Sequence, residues 1–367
     1  MVAVPNVSKP PLVDEAVGLT PRPYQADGRN FLWRKERAMI TDAPGLGKTP
    51  QAALAAEPPC IVVCPTYLTE QWGAWLRAHF PHRKVVVARG PRQDKTDAML
   101  QRTDFLVVNK EMLRTHAKEL FVIAKRMRYK TLIIDEAHHL RNSATTASRN
   151  AVALASLIPR VYLLTATPIW KEPDDLFMPL RILYPDVFTS YTKFVDTWCE
   201  TDTSGFNTKV TGIKEVDDLN ELLDAIRIGR TYEQAGRDLP PVIETRVQLE
   251  FEPTERKRYD DLVSNYRLQL EEDESLFMLS YMEVMHTLRN LTGFEKLEPI
   301  ADVVEESRPY HNGKYVIFTW YRDIAERLAR RLPEAVLITG DMKPAERVAQ
   351  AKRQKPIIAT ITALSEG

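Results

Sequence analysis

The segment from Ile40 to Gln51, Ile-Thr-Asp-Ala-Pro-Gly-Leu-Gly-Lys-Thr-Pro-Gln, leaves this chain few folds to choose from. Apolar residues lead into Asp42 and a helix-forming run, 51–56, follows Thr49, so the segment reads as strand, tight loop, helix. Gly45 and Gly47, on either side of Leu46, let the backbone turn its N–H groups toward an oxyanion, and the helix N-terminus adds positive potential. Lys48 reaches terminal phosphates and Thr49 offers a hydroxyl to magnesium, so a nucleotide with Mg2+ is the expected ligand. Pro50 is tolerated in a first helical turn, where its missing N–H has no partner to lose. One position departs from the general pattern: Asp42 stands six residues before Lys48, where a glycine is usual.

Short runs rich in Val, Ile and Leu alternate with helical patterns beyond this loop. Residues 60–64, 84–87, 105–108, 131–134 and 161–164 read as strands, with helices such as 69–78 and 118–127 between them. Continuous apolar strands separated by helices imply an α/β fold whose parallel sheet is covered on both faces, and ligands bind at the carboxyl ends of such strands. A length of 367 residues allows two domains. Fifty Lys and Arg balance fifty Asp and Glu, so no global field recruits a polyanion or an anionic membrane and any such site is local. Cys60, Cys64 and Cys199 are too few for a disulfide framework. No apolar stretch approaches the roughly 18 residues of a membrane span, and the N-terminus lacks the order of a signal peptide. An intracellular protein with no membrane partner is expected.

After Leu132-Ile133-Ile134 comes Asp135-Glu136-Ala137-His138. A strand that ends in two acids places one carboxylate to hold magnesium and the next to orient and deprotonate water. Asp135 is assigned to the metal, Glu136 to the water, and Lys48 is the third catalytic candidate. Adjacent His138 and His139 lack ligand spacing and have no Cys nearby, which argues against zinc. The next strand exits through Leu164-Thr165-Ala166-Thr167-Pro168, where the hydroxyls of Thr165 and Thr167 can relay hydrogen bonds between a nucleotide site and a neighbouring surface. Upstream, Arg22-Pro23-Tyr24-Gln25 precedes an amphipathic run. The Gln25 amide matches the Hoogsteen edge of adenine, and Arg22 stands beside it as a second nucleotide candidate.

In kind and order, Gln25, the loop from Asp42 to Thr49, Pro65-Thr66, the Asp-Glu-Ala-His box and the Leu-Thr-Ala-Thr-Pro exit resemble a superfamily 2 helicase-like ATPase. The finer wording is similar to its Swi/Snf branch. Asp-x-x-Gly-Leu-Gly-Lys-Thr is that branch's phosphate loop, which accounts for Asp42. Leu140-Arg141-Asn142, Ile228-Gly229-Arg230-Thr231 and Asp238-Leu239-Pro240-Pro241 resemble further landmarks, with Gly229 in place of the first of two arginines. Arg289, Leu291-Thr292-Gly293 and Lys296 resemble the variant of annealing-helicase-like and compact bacterial or phage members, so a bacterial cytoplasm or a phage origin is expected over a nucleus.

This resemblance implies two RecA-like doubly wound parallel-sheet lobes with helical insertions. They divide as an N-terminal arm (1–19), a first lobe that binds ATP (20–183), helical projections and a linker (184–312), and the start of a second lobe (313–367). The chain stops at Ala363-Leu364-Ser365-Glu366-Gly367, inside what resembles the fifth motif, so the second lobe is expected to be incomplete, with a strand edge left unpaired. Double-stranded DNA is the implied partner, gripped by its backbone without sequence reading. Pro65, Thr66, Asn109, Lys110 and Thr167 are the implied contacts of the first lobe and Thr362 that of the second.

In the second half, residues 244–251 alternate as a strand, 315–319, 335–338 and 357–361 read as strands, and 322–332 and 343–354 as helices. The densest basic cluster, Lys125-Arg126, Arg128 and Lys130, reads first as a solvated helix end, and Trp72, Trp75 and Trp320 read as core. ATP-driven translocation along duplex DNA is the implied activity. A strand-separating helicase on DNA or RNA and a nucleotide-gated DNA-binding module without movement remain as alternatives.

Overall fold

The computed structural model of the chain describes residues 9–167, 172–202, 209–214, 216–237, 244, 246–272, 277–307, 314–342, 344–351, 353 and 355–364; Pro168, the landmark from Asp238 to Pro241, and Ser365 to Gly367 lie outside them. The chain divides into two compact units, Met1–Pro240 and Pro241–Gly367.

In the first unit the apolar runs form β1 (Arg37–Ile40), β2 (Cys60–Cys64), β3 (Val85–Val87), β4 (Phe105–Asn109), β5 (Thr131–Asp135) and β6 (Arg160–Leu164). A hairpin of β7 (Cys199–Asp202) and β8 (Lys209–Ile213) follows, then the short β9 (Arg227–Ile228). Apart from the hairpin these strands make one seven-stranded sheet, ordered β3-β4-β2-β5-β6-β1-β9, in which every pairing is parallel. Side chains alternate between two cores. On β2, Ile61 and Val63 face one and Cys60, Val62 and Cys64 the other; on β5, Leu132 and Ile134 oppose Ile133. Each fully buried Val, Leu or Ile contributes about 1.5–3 kcal/mol, which is why a strand buried on both faces reads as an unbroken apolar run.

Helices α1 (Pro23–Lys35), α2 (Lys48–Ala55) and α3 (Thr69–His79) cover one face through Leu32, Leu54, Trp72 and Leu76. Helices Ala117–Arg126, Thr146–Ala155 and Phe177–Leu183 cover the other through Leu120, Ile123, Leu154 and Leu180. The chain ahead of α1 is tied to the first unit as well: Leu12 is fully buried, Arg83 pairs with Glu15 at 2.6 Å, and the Val17 amide donates to the His79 carbonyl at 2.9 Å.

Two features depart from the sequence expectation. The β7–β8 hairpin is largely polar on its outer side and carries no long apolar run, so it left no period to read. Conversely, 244 and 246–251 form no strand: their alternation is not matched by a partner strand among the described residues.

The second unit builds a three-stranded parallel sheet from β10 (Val316–Thr319), β11 (Val336–Ile338) and β12 (Ile357–Thr360), ordered β10-β12-β11. Ile324, Ala325 and Leu328 of helix Arg322–Arg331 pack on Ile317 and Ile358, together with Ala301 and Val304 of helix Leu297–Glu306. Because Ile317 faces that helix, the two-residue period turns Val316, Phe318 and Trp320 the other way. Trp320 is accordingly 62% exposed rather than core, with the Arg289 guanidinium 5.4 Å from its ring centroid.

Candidate active site

Strand order places β6 between β5 and β1, so the loops leaving β5 and β1 meet over the carboxyl end of β6. From β1 the chain enters the glycine loop. Gly45 (φ 75°) and Gly47 (φ 80°) are both left-handed, a conformation that side chains resist. At Gly47 a Cβ would also stand 2.4 Å from Gln25 Nε2 and 3.2 Å from Pro50 Cγ, so glycine is required there twice over. Lys48 opens α2, which directs its N-terminal amides at the loop. Gln25 braces this turn: its Nε2 donates to the Leu46 carbonyl (3.0 Å), which also accepts from the Tyr24 hydroxyl (3.0 Å), while its Oε1 accepts from the Arg22 amide (3.0 Å).

Lys48 Nζ donates to the Asp42 carbonyl at 2.8 Å. Burial pulls this ammonium below its usual range, and Glu136, Asp135 and Asp42 oppose that pull. Asp135 Oδ2 accepts from the Trp72 indole N–H at 2.8 Å and its Oδ1 from the Glu136 amide at 3.0 Å. Burial still pushes the Asp135 carboxyl up to about 6. Glu136 sits in the left-handed region (φ 50°, ψ 51°), a costly conformation for a side-chain-bearing residue. Its Oε2 lies 3.2 Å from His138 Nδ1, and this hydrogen bond holds the carboxyl below the usual range. The same His138 nitrogen is 3.1 Å from Thr165 Oγ1, which accepts from the Thr167 amide at 3.1 Å. Glu136, His138, Thr165 and Thr167 therefore form one continuous chain of contacts. His139 packs on His138 with centroids 4.3 Å apart, and burial with Lys110 nearby takes it down to about 4, so it is neutral at pH 7.

A cleft of about 410 Å³ gathers Gly45, Gly47, Lys48, Thr49, Asp135 and Glu136, with Trp72 and Trp75 along one wall. Its donor set fits a nucleoside triphosphate with magnesium: a glycine turn with no room for a Cβ at Gly47, a half-buried ammonium at Lys48, and the Thr49 hydroxyl and Asp135 carboxylate, which would hold the metal. Arg22, Gln25, Asp42 and Leu46 lie outside the cleft lining. Arg22 is exposed at the start of α1, Gln25 and Leu46 shape the loop from behind, and the Asp42 carboxylate is fully buried against Arg230 and Gln51. Trp72 and Arg230 were not singled out as site residues in the sequence. Their partners lie 63 and 188 positions away, and only the fold brings them together.

Four of the candidate nucleic-acid residues of this unit gather at the carboxyl ends of neighbouring β2 and β4, while Thr167 follows β6. Thr66 is exposed and its hydroxyl donates to Glu111 Oε2 (3.0 Å), Asn109 Oδ1 accepts from the Met112 amide (3.2 Å), and the Lys110 amide donates to the Cys64 carbonyl (2.9 Å). Pro65 is buried between them. Thr362 belongs to helix Ile361–Leu364 of the second unit, and its side chain lies outside what is described. Arg126 and Arg128 of the basic cluster, with Arg83 and Arg102, line a separate cleft of about 840 Å³ at the opposite, amino end of the strands.

A protein-family profile described as SNF2-related domain matches residues 24–296. Over 345 residues the chain is 25% identical to the DNA annealing helicase and endonuclease ZRANB3 of Bos taurus, taking in 89% of this chain and 32% of that protein. Over 320 residues it is 27% identical to the SWI/SNF-related matrix-associated actin-dependent regulator of chromatin subfamily A-like protein 1 homolog of Caenorhabditis elegans, covering 83% and 45% of the two. It thus spans less than half the length of these relatives. The Sulfolobus solfataricus SWI2/SNF2 ATPase core in complex with dsDNA has the same fold at a TM-score of 0.54 and 21% identity, with 96% of this chain and 80% of that one covered. Nothing in these matches favours a bacterial or phage source, and among the described residues no helix is long and apolar enough to cross a membrane.

Proposed function

We propose, from the premise that this chain belongs to the family of SNF2-related domains, that it is the ATP-hydrolysing core of a motor that moves along double-stranded DNA. The observation that carries this reading is the convergence of Lys48, Thr49, Asp135 and Glu136 on one cleft at the carboxyl ends of β1 and β5. Lys48, released from the Asp42 carbonyl, binds the terminal phosphates. Thr49 and Asp135 would hold magnesium, which when bound neutralises charge on the phosphate oxygens. Glu136, kept ionised by His138, orients the attacking water and accepts its proton. The contacts from Glu136 through His138 and Thr165 give the catalytic base a route to Thr167, a candidate backbone contact. Thr66, Asn109 and Lys110 offer a hydroxyl, an amide and an ammonium, a set suited to gripping phosphates without reading bases. The solved SWI2/SNF2 core with dsDNA and the annealing-helicase relatives support DNA as the track.

Displacement of a triplex-forming strand from duplex DNA requires movement and tests the reading. Wild-type protein is expected to displace the strand only with ATP and magnesium, and Glu136→Gln not at all. DNA-stimulated turnover without displacement would replace the motor with a nucleotide-gated binding module, and faster unwinding of a fork than displacement of a triplex would replace it with a strand-separating helicase.

A further inference from the structure

We infer that Asp42 and Arg230 are a positioning pair that makes the shape of the phosphate loop answer to residues 228–231, which end and follow β9, the last strand of the first unit's sheet; the inference rests on the ATP-site reading above. Asp42 is fully buried and the Arg230 side chain is 10% exposed. Arg230 Nη1 donates to both carboxylate oxygens, at 3.1 and 3.2 Å, and Gln51 Nε2 donates to Asp42 Oδ2 at 2.8 Å and to the Gly47 carbonyl at 3.1 Å. A carboxylate taken out of water must be paired, and this one is paired across 188 positions of sequence.

Main-chain bonds lay the two segments on each other. The β1–β9 register, Met39↔Arg227 and Ile40↔Ile228, continues past the strands through Thr41 N–H to the Ile228 carbonyl (2.8 Å) and Ala43 N–H to the Arg230 carbonyl (2.9 Å). Glycines permit the approach. A Cβ on Gly229, the position that departs from the two-arginine landmark, would stand 2.2 Å from Thr41 Oγ1, and one on Gly28 would stand 1.8 Å from Gln51 Oε1. Asp42 is thus the hub of the loop: Arg230 grips its carboxylate while its carbonyl gives the Lys48 ammonium a resting place. When Lys48 turns to phosphate it leaves a peptide whose position Arg230 sets. Arg230 Nη2 and Gln51 Oε1 are both buried without a hydrogen-bond partner among the described residues, so the cluster holds unused bonding capacity, as an element with a second arrangement requires. Strain at 228–231 is therefore felt where the phosphates bind, and the reverse.

Two measurements test the pair. Hydrogen exchange of the wild-type chain is followed with and without magnesium and a non-hydrolysable ATP analogue. Amides of 41–43 and 228–231 are expected to slow together, by about tenfold or more. Protection of the loop with 228–231 unchanged would overturn the inference and leave the ATP site standing; protection of neither would overturn both. Second, Asp42→Asn with Arg230→Met removes both charges and leaves no orphan ion. With melting unchanged, this double variant is expected to raise the KM for ATP about tenfold, a shift that a purely structural role would not produce. Because one nitrogen serves both oxygens, Arg230→Lys is expected to restore most of the affinity. A folded double variant with wild-type KM would sink the pair.

Discussion

Asp135 accepts two hydrogen bonds and still binds its proton more tightly than a free carboxyl does, because burial outweighs them. The direction of the shift sets the direction of the pH effect. A carboxyl raised from 3.8 to about 6 on folding contributes stability that is complete below about pH 4 and lost as pH climbs through about 6. At pH 7 the ionised group then costs the metal-free chain about 2–3 kcal/mol, with Glu136 adding to that cost and Lys48 relieving it. Asp135→Asn keeps an acceptor for the Trp72 indole and removes the charge. It is expected to stabilise the metal-free chain at pH 7 by about 1–3 kcal/mol and to flatten the slope between about pH 4 and 6, while abolishing magnesium-dependent turnover. Urea unfolding across that pH range checks it. The two acids were legible from Leu132-Ile133-Ile134 ahead of them, because a strand end is where such groups work. The Trp72 contact was not, because burial, the property that marked Trp72 as core, hid its indole N–H.

The glycine loop shows how one element divides stability from function. Gly47 is the residue before α2, left-handed and pressed against Gln25 and Pro50. Gly47→Ala forces a side chain into both constraints, at a cost of about 1 kcal/mol for the backbone alone. The sheet beneath does not depend on that turn. The variant is therefore expected to melt within a few degrees of wild type but to bind ATP at least about tenfold more weakly, as a fluorescent-nucleotide titration would show. Strands β2, β4, β5 and β6 were legible because burial on both faces demands continuous Val, Ile and Leu. Strand β9 was not, since two residues, Arg227 and Ile228, carry no period and gain their identity from Met39 and Ile40 beside them.

At the scale of the molecule, the loop after β1 and the acids after β5 are some ninety positions apart in sequence, and the parallel topology alone brings them to one cleft. That much could be read from strand–helix alternation and motif order. The buried link between Asp42 and Arg230 could not, because neither spacing nor composition reports a pairing across 188 residues. Asp42 looked like an irregular glycine position, and its carboxylate has its physical reason in the far end of the first unit. Trp320 shows the converse error: an aromatic at the end of an apolar run reads as core, yet the parity of β10 turns it outward. The central claim, that one cleft couples ATP hydrolysis to duplex DNA, is tested most directly by steady-state ATP turnover with magnesium, with and without duplex DNA, for wild type beside Glu136→Gln. The account predicts that duplex DNA raises the wild-type rate about tenfold or more and that Glu136→Gln binds ATP without turning it over. A wild-type rate indifferent to duplex DNA, or a variant that hydrolyses ATP as fast as wild type, would contradict it.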